Sequence, residues 1–106
     1  MIRAKYHVAG DEHRLTLKGH AGYSTNGNDI VCSAVSSLVY ALLGWLENNS
    51  EDVEWSNTFV ESGDVSITCY GGARTTVAFD MAAIGLEQIA MTYPDCMEIE
   101  TVGLAD

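Results

Sequence analysis

The sequence is poor in several things, and each shortage narrows what the chain can be. It has one proline, and charged residues make up 19% against 47% hydrophobic. A disordered or low-complexity chain has the opposite balance, because it lacks the apolar surface that offsets ordering entropy. Lysine and arginine number five against fifteen acidic residues, a formal charge of −10. So few cations argue against nonspecific nucleic-acid binding, which displaces phosphate counterions with basic side chains. The three cysteines, Cys32, Cys69 and Cys96, cannot all pair within the chain, and no two have metal-ligand spacing. No metal or other cofactor is expected. The first residues alternate in polarity where a signal peptide would carry an apolar run of roughly 7–15 residues. The longest apolar stretches are interrupted by Ser, Gly, Asp or Glu, so no membrane span is expected. These readings predict a reduced, cytoplasmic protein of one domain spanning residues 1–106. A domain of this size buries about 60–70% of its unfolded surface, enough for one core.

What charge there is lies unevenly. Residues 1–20 hold Arg3, Lys5, Arg14 and Lys18 with only Asp11 and Glu12, a local sum of +2. The remainder holds Arg74 and thirteen acids, a sum of −12. Such a surface attracts a basic partner or peptide. It serves equally as a solvated face that keeps the protein in solution.

Polarity patterning predicts the elements. Ile2, Ala4, Tyr6 and Val8 alternate with polar neighbours, Gly10-Asp11-Glu12 turns, and residues 13–18 alternate again, so residues 2–19 read as a β-hairpin. Residues 19–28 are rich in Gly, Asn and hydroxyl side chains and read as a mobile loop. Asn28 or Asp29 can cap a helix from Ile30 to Asn48, whose apolar residues Val31, Ala34, Val35, Leu38, Leu42, Trp45 and Leu46 recur at helical spacing. Strands follow at residues 53–60 and around Val65, Ile67 and Cys69, with a turn at Glu61-Ser62-Gly63-Asp64. Thr75 or Thr76 can cap a second helix from Val77 to Thr92 or Tyr93. Its apolar residues cover more than one stripe, which predicts heavy burial or a subunit contact. Pro94 stops it, and Met97 and Ile99 mark a last strand. The order ββαββαβ predicts an α+β fold, two helices packed on a mostly antiparallel sheet.

Cys32 is the residue with most chemical promise. In the first turn of a helix, unpaired amides and the positive end of the macrodipole favour a thiolate. An ordinary thiol is only about 3% ionised at pH 7, so such help matters to a nucleophile. A nucleophilic thiol also needs a base, and His20 ends the second strand just before the loop that leads to Cys32, twelve residues on. His7 and His13 lie inside the hairpin with no comparable link to a thiol. Asp29 can accept hydrogen bonds from helix-start amides or orient the histidine. Ser36 lies one turn beyond Cys32 on the same face, where it can bond at the site or bond its own backbone. Gly19, Gly22 and Gly27 are candidate hinges for closing the loop over a peptide, or ordinary loop glycines. The bland alternative is a small buried Cys32 and a polar strand-end His20. Cys69 reads as core, and Cys96 has no nearby base.

Gly19-His20-Ala21-Gly22 and Asp29-Ile30-Val31-Cys32-Ser33-Ala34-Val35-Ser36 together resemble the ribosomal-processing cysteine protease family Prp, over nearly the whole chain. Gly-His-Ala alone is a weak signal; joined to Asp-Ile-Val-Cys at this spacing it is specific. The resemblance implies a cysteine endopeptidase that removes the N-terminal extension of large-subunit ribosomal protein L twenty-seven. Cleavage in that family follows a hydrophobic stretch ending in phenylalanine. It implies His20 as catalytic histidine, Cys32 as nucleophile, Asp29 and Ser36 as the motif aspartate and serine, a mobile glycine-rich loop, and a homodimer. Ser33 departs from the family's usual alanine, which a nearby hydroxyl makes relevant to the thiol's hydrogen bonding. Two rival functions exist. A noncatalytic ribosome-assembly or protein-binding module would keep the acidic surface without needing Cys32. A nucleotide binder would use the glycine-rich loop, but no Lys-Ser/Thr pair follows those glycines.

Overall fold

A computed structural model describes residues 1–20 and 30–103 of the chain. Strands β1 (Ile2–Ala9) and β2 (Glu12–Lys18) are followed by helix α1 (Ile30–Asn48) and a short 3-10 turn at Ser50–Asp52. Strands β3 (Val53–Glu61) and β4 (Asp64–Gly71), helix α2 (Ala73–Thr92) and strand β5 (Met97–Val102) complete the order ββαββαβ. The sheet runs β3-β4-β2-β1-β5. All neighbours are antiparallel except β1 and β5, which are parallel. The α+β architecture expected from the pattern is the one found.

Period-two alternation decides which face is buried. Ile2, Ala4 and Tyr6 on β1, Leu15 and Leu17 on β2, and Ile67 and Cys69 on β4 point to the core. Their neighbours Arg3, Lys5, Arg14 and Lys18 are exposed. Three of these cations meet carboxylates on the outer face: Arg3 with Glu98 (3.0 Å), Arg14 with Glu12 (3.2 Å) and Lys18 with Asp64. Exposed pairs add little stability, but they offset the positive charge of the N-terminal hairpin. On α1, Val31, Val35, Val39, Leu42 and Leu46 make the buried stripe. By length and mean hydropathy α1 reaches the range of membrane-spanning helices, which the interrupted apolar runs had argued against. Its stripe is instead spent on the domain core, with Leu38 packed at the crossing with α2. A Cβ at Gly85 of α2 would come within 2.8 Å of Leu38 Cδ1, so Gly85 lets the two helices approach.

The second helix begins a turn earlier than its hydroxyl residues predicted. It starts at Ala73 behind an N-cap at Gly72, with no side-chain cap. Thr75 is fully buried and donates to the carbonyl of Asp52 (3.2 Å), and Arg74 pairs with Asp52 (2.5 Å). Both residues are used to tie the first turn to the 3-10 segment, a tertiary role that a capping rule does not foresee. The helix buries Phe79, Ala82, Ala83 and Leu86, while Val77, Met81, Ile84 and Met91 remain exposed. The second apolar stripe noted in the sequence is therefore on the surface.

Candidate active site

The site is assembled where the end of β2, the start of α1 and the β3–β4 turn meet. Lys18 pairs with Asp64 across the β2–β4 ladder, which sets the chain after β2 beside the Ser62-Gly63 turn. Gly19 follows at φ +97°, a left-handed conformation that costs glycine little. Its N–H donates to the Gly63 carbonyl (2.9 Å). A Cβ on Gly19 would lie 2.3 Å from the Met1 carbonyl oxygen, so no other residue fits. The carbonyl of His20 accepts a hydrogen bond from the Met1 amino group (2.5 Å). The backbone that carries His20 is thus held by β1 on one side and by the turn on the other. Its ring lies over Gly63, where a Cβ would come within 2.6 Å of Nε2.

Cys32 is the third residue of α1, in its first turn, and half-buried. His20, Cys32 and Ser36 line one cavity of about 370 Å³, together with Tyr40, Val60 and Gly63. His20 and Cys32 come from different elements, and the fold brings them to one solvent-accessible space. Gly19, expected as a hinge, occupies the tight bend just described. Asp29, Gly22 and Gly27 lie outside the described residues. Among the described residues, no group of three or more His, Cys, Asp or Glu side chains has the arrangement of a metal site.

The other thiols sit differently. All three cysteines are thiols. Cys69 is fully buried, and burial pushes its thiol above the ordinary value. Contrary to the expectation from sequence, His13 does neighbour a thiol: it sits opposite Cys69 in the β2–β4 register. His13 is itself fully buried, stacked on Phe79 at 5.1 Å, with Nε2 2.8 Å from Thr76 Oγ1. Thr76 donates its hydroxyl hydrogen to the Gly72 carbonyl (3.2 Å), so its oxygen accepts from His13 Nε2–H. This second histidine–cysteine pair is closed to a peptide. Cys96 is also buried, its carbonyl accepting from Ile2 N–H (2.8 Å).

The family model for cysteine protease Prp matches residues 1–98. The chain belongs to the cysteine protease Prp family. A ribosomal processing cysteine protease Prp from Mycoplasma pneumoniae is 33% identical over 88 residues, covering 83% of this chain and 86% of that protein. Its counterpart from Mycoplasma genitalium is 28% identical over 81 residues, covering 76% and 80%. Among solved structures, a ribosomal processing protease Prp from S. aureus with a covalently linked product peptide superposes with a TM-score of 0.84. It is 16% identical, covering 95% of this chain and 99% of that one. At that identity the superposition speaks for the fold, and the family match speaks for the activity: this Prp-family chain is a cysteine protease.

Gly63, Tyr40 and Val60 are among the contributors to the site that the sequence reading missed. The turn containing Gly63 is visible as a hairpin signal. That it seats the His20 ring follows only from the pairing of β2 with β4.

Proposed function

We propose that this Prp-family protease is a cytoplasmic endopeptidase that removes the N-terminal extension of large-subunit ribosomal protein L twenty-seven, with Cys32 as nucleophile and His20 as its proton partner. The observation that carries this reading is the shared cavity: His20 and Cys32 both line it, and no second thiol does. The ring nitrogens of His20 can take a proton from the thiol and return it.

The chemistry is acyl transfer. His20 takes the proton of the Cys32 thiol, and the sulfur attacks the scissile carbonyl carbon. The carbonyl π electrons move onto oxygen, where amides at the start of α1 can hold the charge. Collapse of this intermediate breaks the C–N bond, His20 protonates the leaving amine, and a thioester remains. Water, losing a proton to His20, then releases the acid and restores the thiol. Ser36, which lines the same cavity, is a candidate to bond in it, and Asp29 to orient His20; Gly19, Gly22 and Gly27 would bound the segment that closes over the peptide. No cofactor is required. An acidic enzyme suits a basic ribosomal substrate. The exposed apolar stripe on α2 supports a homodimer of this single 106-residue domain.

The test is incubation with a synthetic peptide spanning the ribosomal extension, read by mass spectrometry. The intact enzyme should cut it once, after the hydrophobic stretch. Cys32→Ala should bind the peptide and leave it whole, and His20→Ala should slow cutting by at least about a hundredfold. Cutting by Cys32→Ala would remove Cys32 from the mechanism and point to a module in which that thiol has no chemical part.

A further inference from the structure

Strand β3 is an unusual part of this molecule. It is an edge of the sheet, and among the described residues it pairs only with β4. From Glu54 to Glu61 every residue is exposed, on the face towards the helices as well as the face away from them. The other strands each bury at least one side chain against the helices, so the helical layer stops short of β3.

The result is a crevice between α1 and β3. The two elements run antiparallel along it. At one end lies the cavity that holds Cys32, with Ser36 and Tyr40 from α1 facing Val60 and Glu61 from β3. At the other lies a second cavity of about 610 Å³, with Leu43 and Glu47 from α1 facing Glu54, Ser56 and Thr58. Among the α1 residues that line the two cavities, Cys32, Ser36, Tyr40, Leu43 and Glu47 recur at three- and four-residue spacing, a single stripe of the helix. From Cys32 to Glu47 the helix rises about 22 Å, the length of roughly seven residues of extended peptide. No lysine or arginine lines either cavity, whereas Glu47, Glu54 and Glu61 all do.

We propose that this crevice seats an extended, lysine- or arginine-bearing stretch of the substrate, leading away from the scissile bond and adding to β3 as a further strand. Three features select that occupant. An antiparallel edge turns half its backbone N–H and C=O groups outward, and an extended peptide is the partner that satisfies them. Carboxylates without lining cations select a basic chain. The Cys32 cavity lies in line with the second cavity along the same stripe of α1, so a peptide in the crevice is the peptide being cut. The proposal rests on Cys32 as nucleophile, and it adds a subsite remote from the reacting atoms.

The experiment uses the whole enzyme and peptides that share one cleavable core. Each carries, at one end or the other, no tail, a seven-residue tail with three lysines, or the same tail with three glutamates. A lysine tail at one end should lower KM about tenfold relative to the core, and a glutamate tail there should not. The gain should shrink at high salt. The double variant Glu47→Lys, Glu54→Lys should reverse the preference, so that the glutamate tail now gives the lower KM; both positions are exposed, so folding is not at risk. Amide exchange on Cys32→Ala should show added protection within residues 56–60, at the amides that do not bond β4, only with the lysine-tailed peptide. Cutting that is indifferent to tail charge overturns the crevice and leaves the protease reading intact. Protection, in the peptide-free enzyme, of the β3 amides that do not bond β4 also overturns it, because a second copy of the chain then fills the space. Failure to cut any peptide sinks both readings.

Discussion

The imidazole of His20 lies against the α-carbon of Gly63, so closely that a methyl group there would stand 2.6 Å from Nε2. Gly63 also sits at φ +73°, so a substitution meets two obstacles, backbone strain and the ring. Gly10, in the β1–β2 turn at φ +60°, has nothing within 4 Å of the corresponding position and separates them. Both Gly10→Ala and Gly63→Ala should lose about 1–2 kcal/mol of stability from strain. Only Gly63→Ala should also lose activity, by tenfold or more in kcat/KM, with an altered pH profile because His20 has moved. Equal activity in the two variants would mean that the ring position over Gly63 has no part in the reaction.

The three thiols should differ in reactivity. Cys32 faces a solvent-accessible cavity at the start of α1, whereas Cys69 is fully buried with its thiol pushed up, and Cys96 is buried ahead of β5. Brief iodoacetamide treatment near neutral pH should label Cys32 first and Cys69 last. Peptide mapping reads the order, and equal labelling of all three would contradict a tuned site.

Alkaline conditions should weaken the fold through Tyr6. Burial, reinforced by the hydrogen bond from its hydroxyl to Asp80 Oδ1 (3.0 Å), raises its ionisation well above the ordinary value of 10.0. The unfolded chain releases the tyrosine proton near pH 10 and the folded chain does not. The contribution is complete below pH 10 and is lost as pH rises beyond it. Urea midpoints measured from pH 9 to 11.5 should fall (about that range brackets an ordinary tyrosine), and Tyr6→Phe should flatten the decline. An unchanged slope in that variant would assign the effect to other groups.

Phe79 is the pivot of the core under the sheet, fully buried, with Tyr6 stacked at 6.0 Å and His13 at 5.1 Å. Phe79→Ala should cost about 3–5 kcal/mol in urea unfolding, because the cavity left between helix and sheet cannot collapse onto two rings already fixed by hydrogen bonds. A loss under about 1 kcal/mol would show a core far looser than these contacts describe.

The apolar stripe of α2 should decide assembly. Met81 is 70% exposed and Val77 61%. Light scattering on the intact chain should give about twice the monomer mass of 11.4 kDa. Met81→Glu should return it to the monomer mass, with far-ultraviolet dichroism unchanged. A monomeric parent protein would leave that stripe without a role.

Local physics alone determined much of this protein. Alternation in residues 2–8 and 13–18, a helical stripe from Val31 to Leu46, and breakers at Gly71, Gly72 and Pro94 wrote out the elements, because period and turn chemistry act within a few residues. They also placed Cys32 in a helix's first turn and drew His20 to notice as the residue ahead of a glycine-rich loop. What the tertiary structure decided was which distant residues meet. Whether Thr75 caps a helix or anchors it to Asp52, whether His13 has a thiol beside it, and which turn receives the His20 ring all depend on strand order. The β2–β4 pairing joins positions about fifty residues apart, and no local preference encodes such a partner; it emerges from burying one face of five strands together. The uncovered edge of β3 has the same origin, since two helices of this length shield only part of a five-stranded sheet.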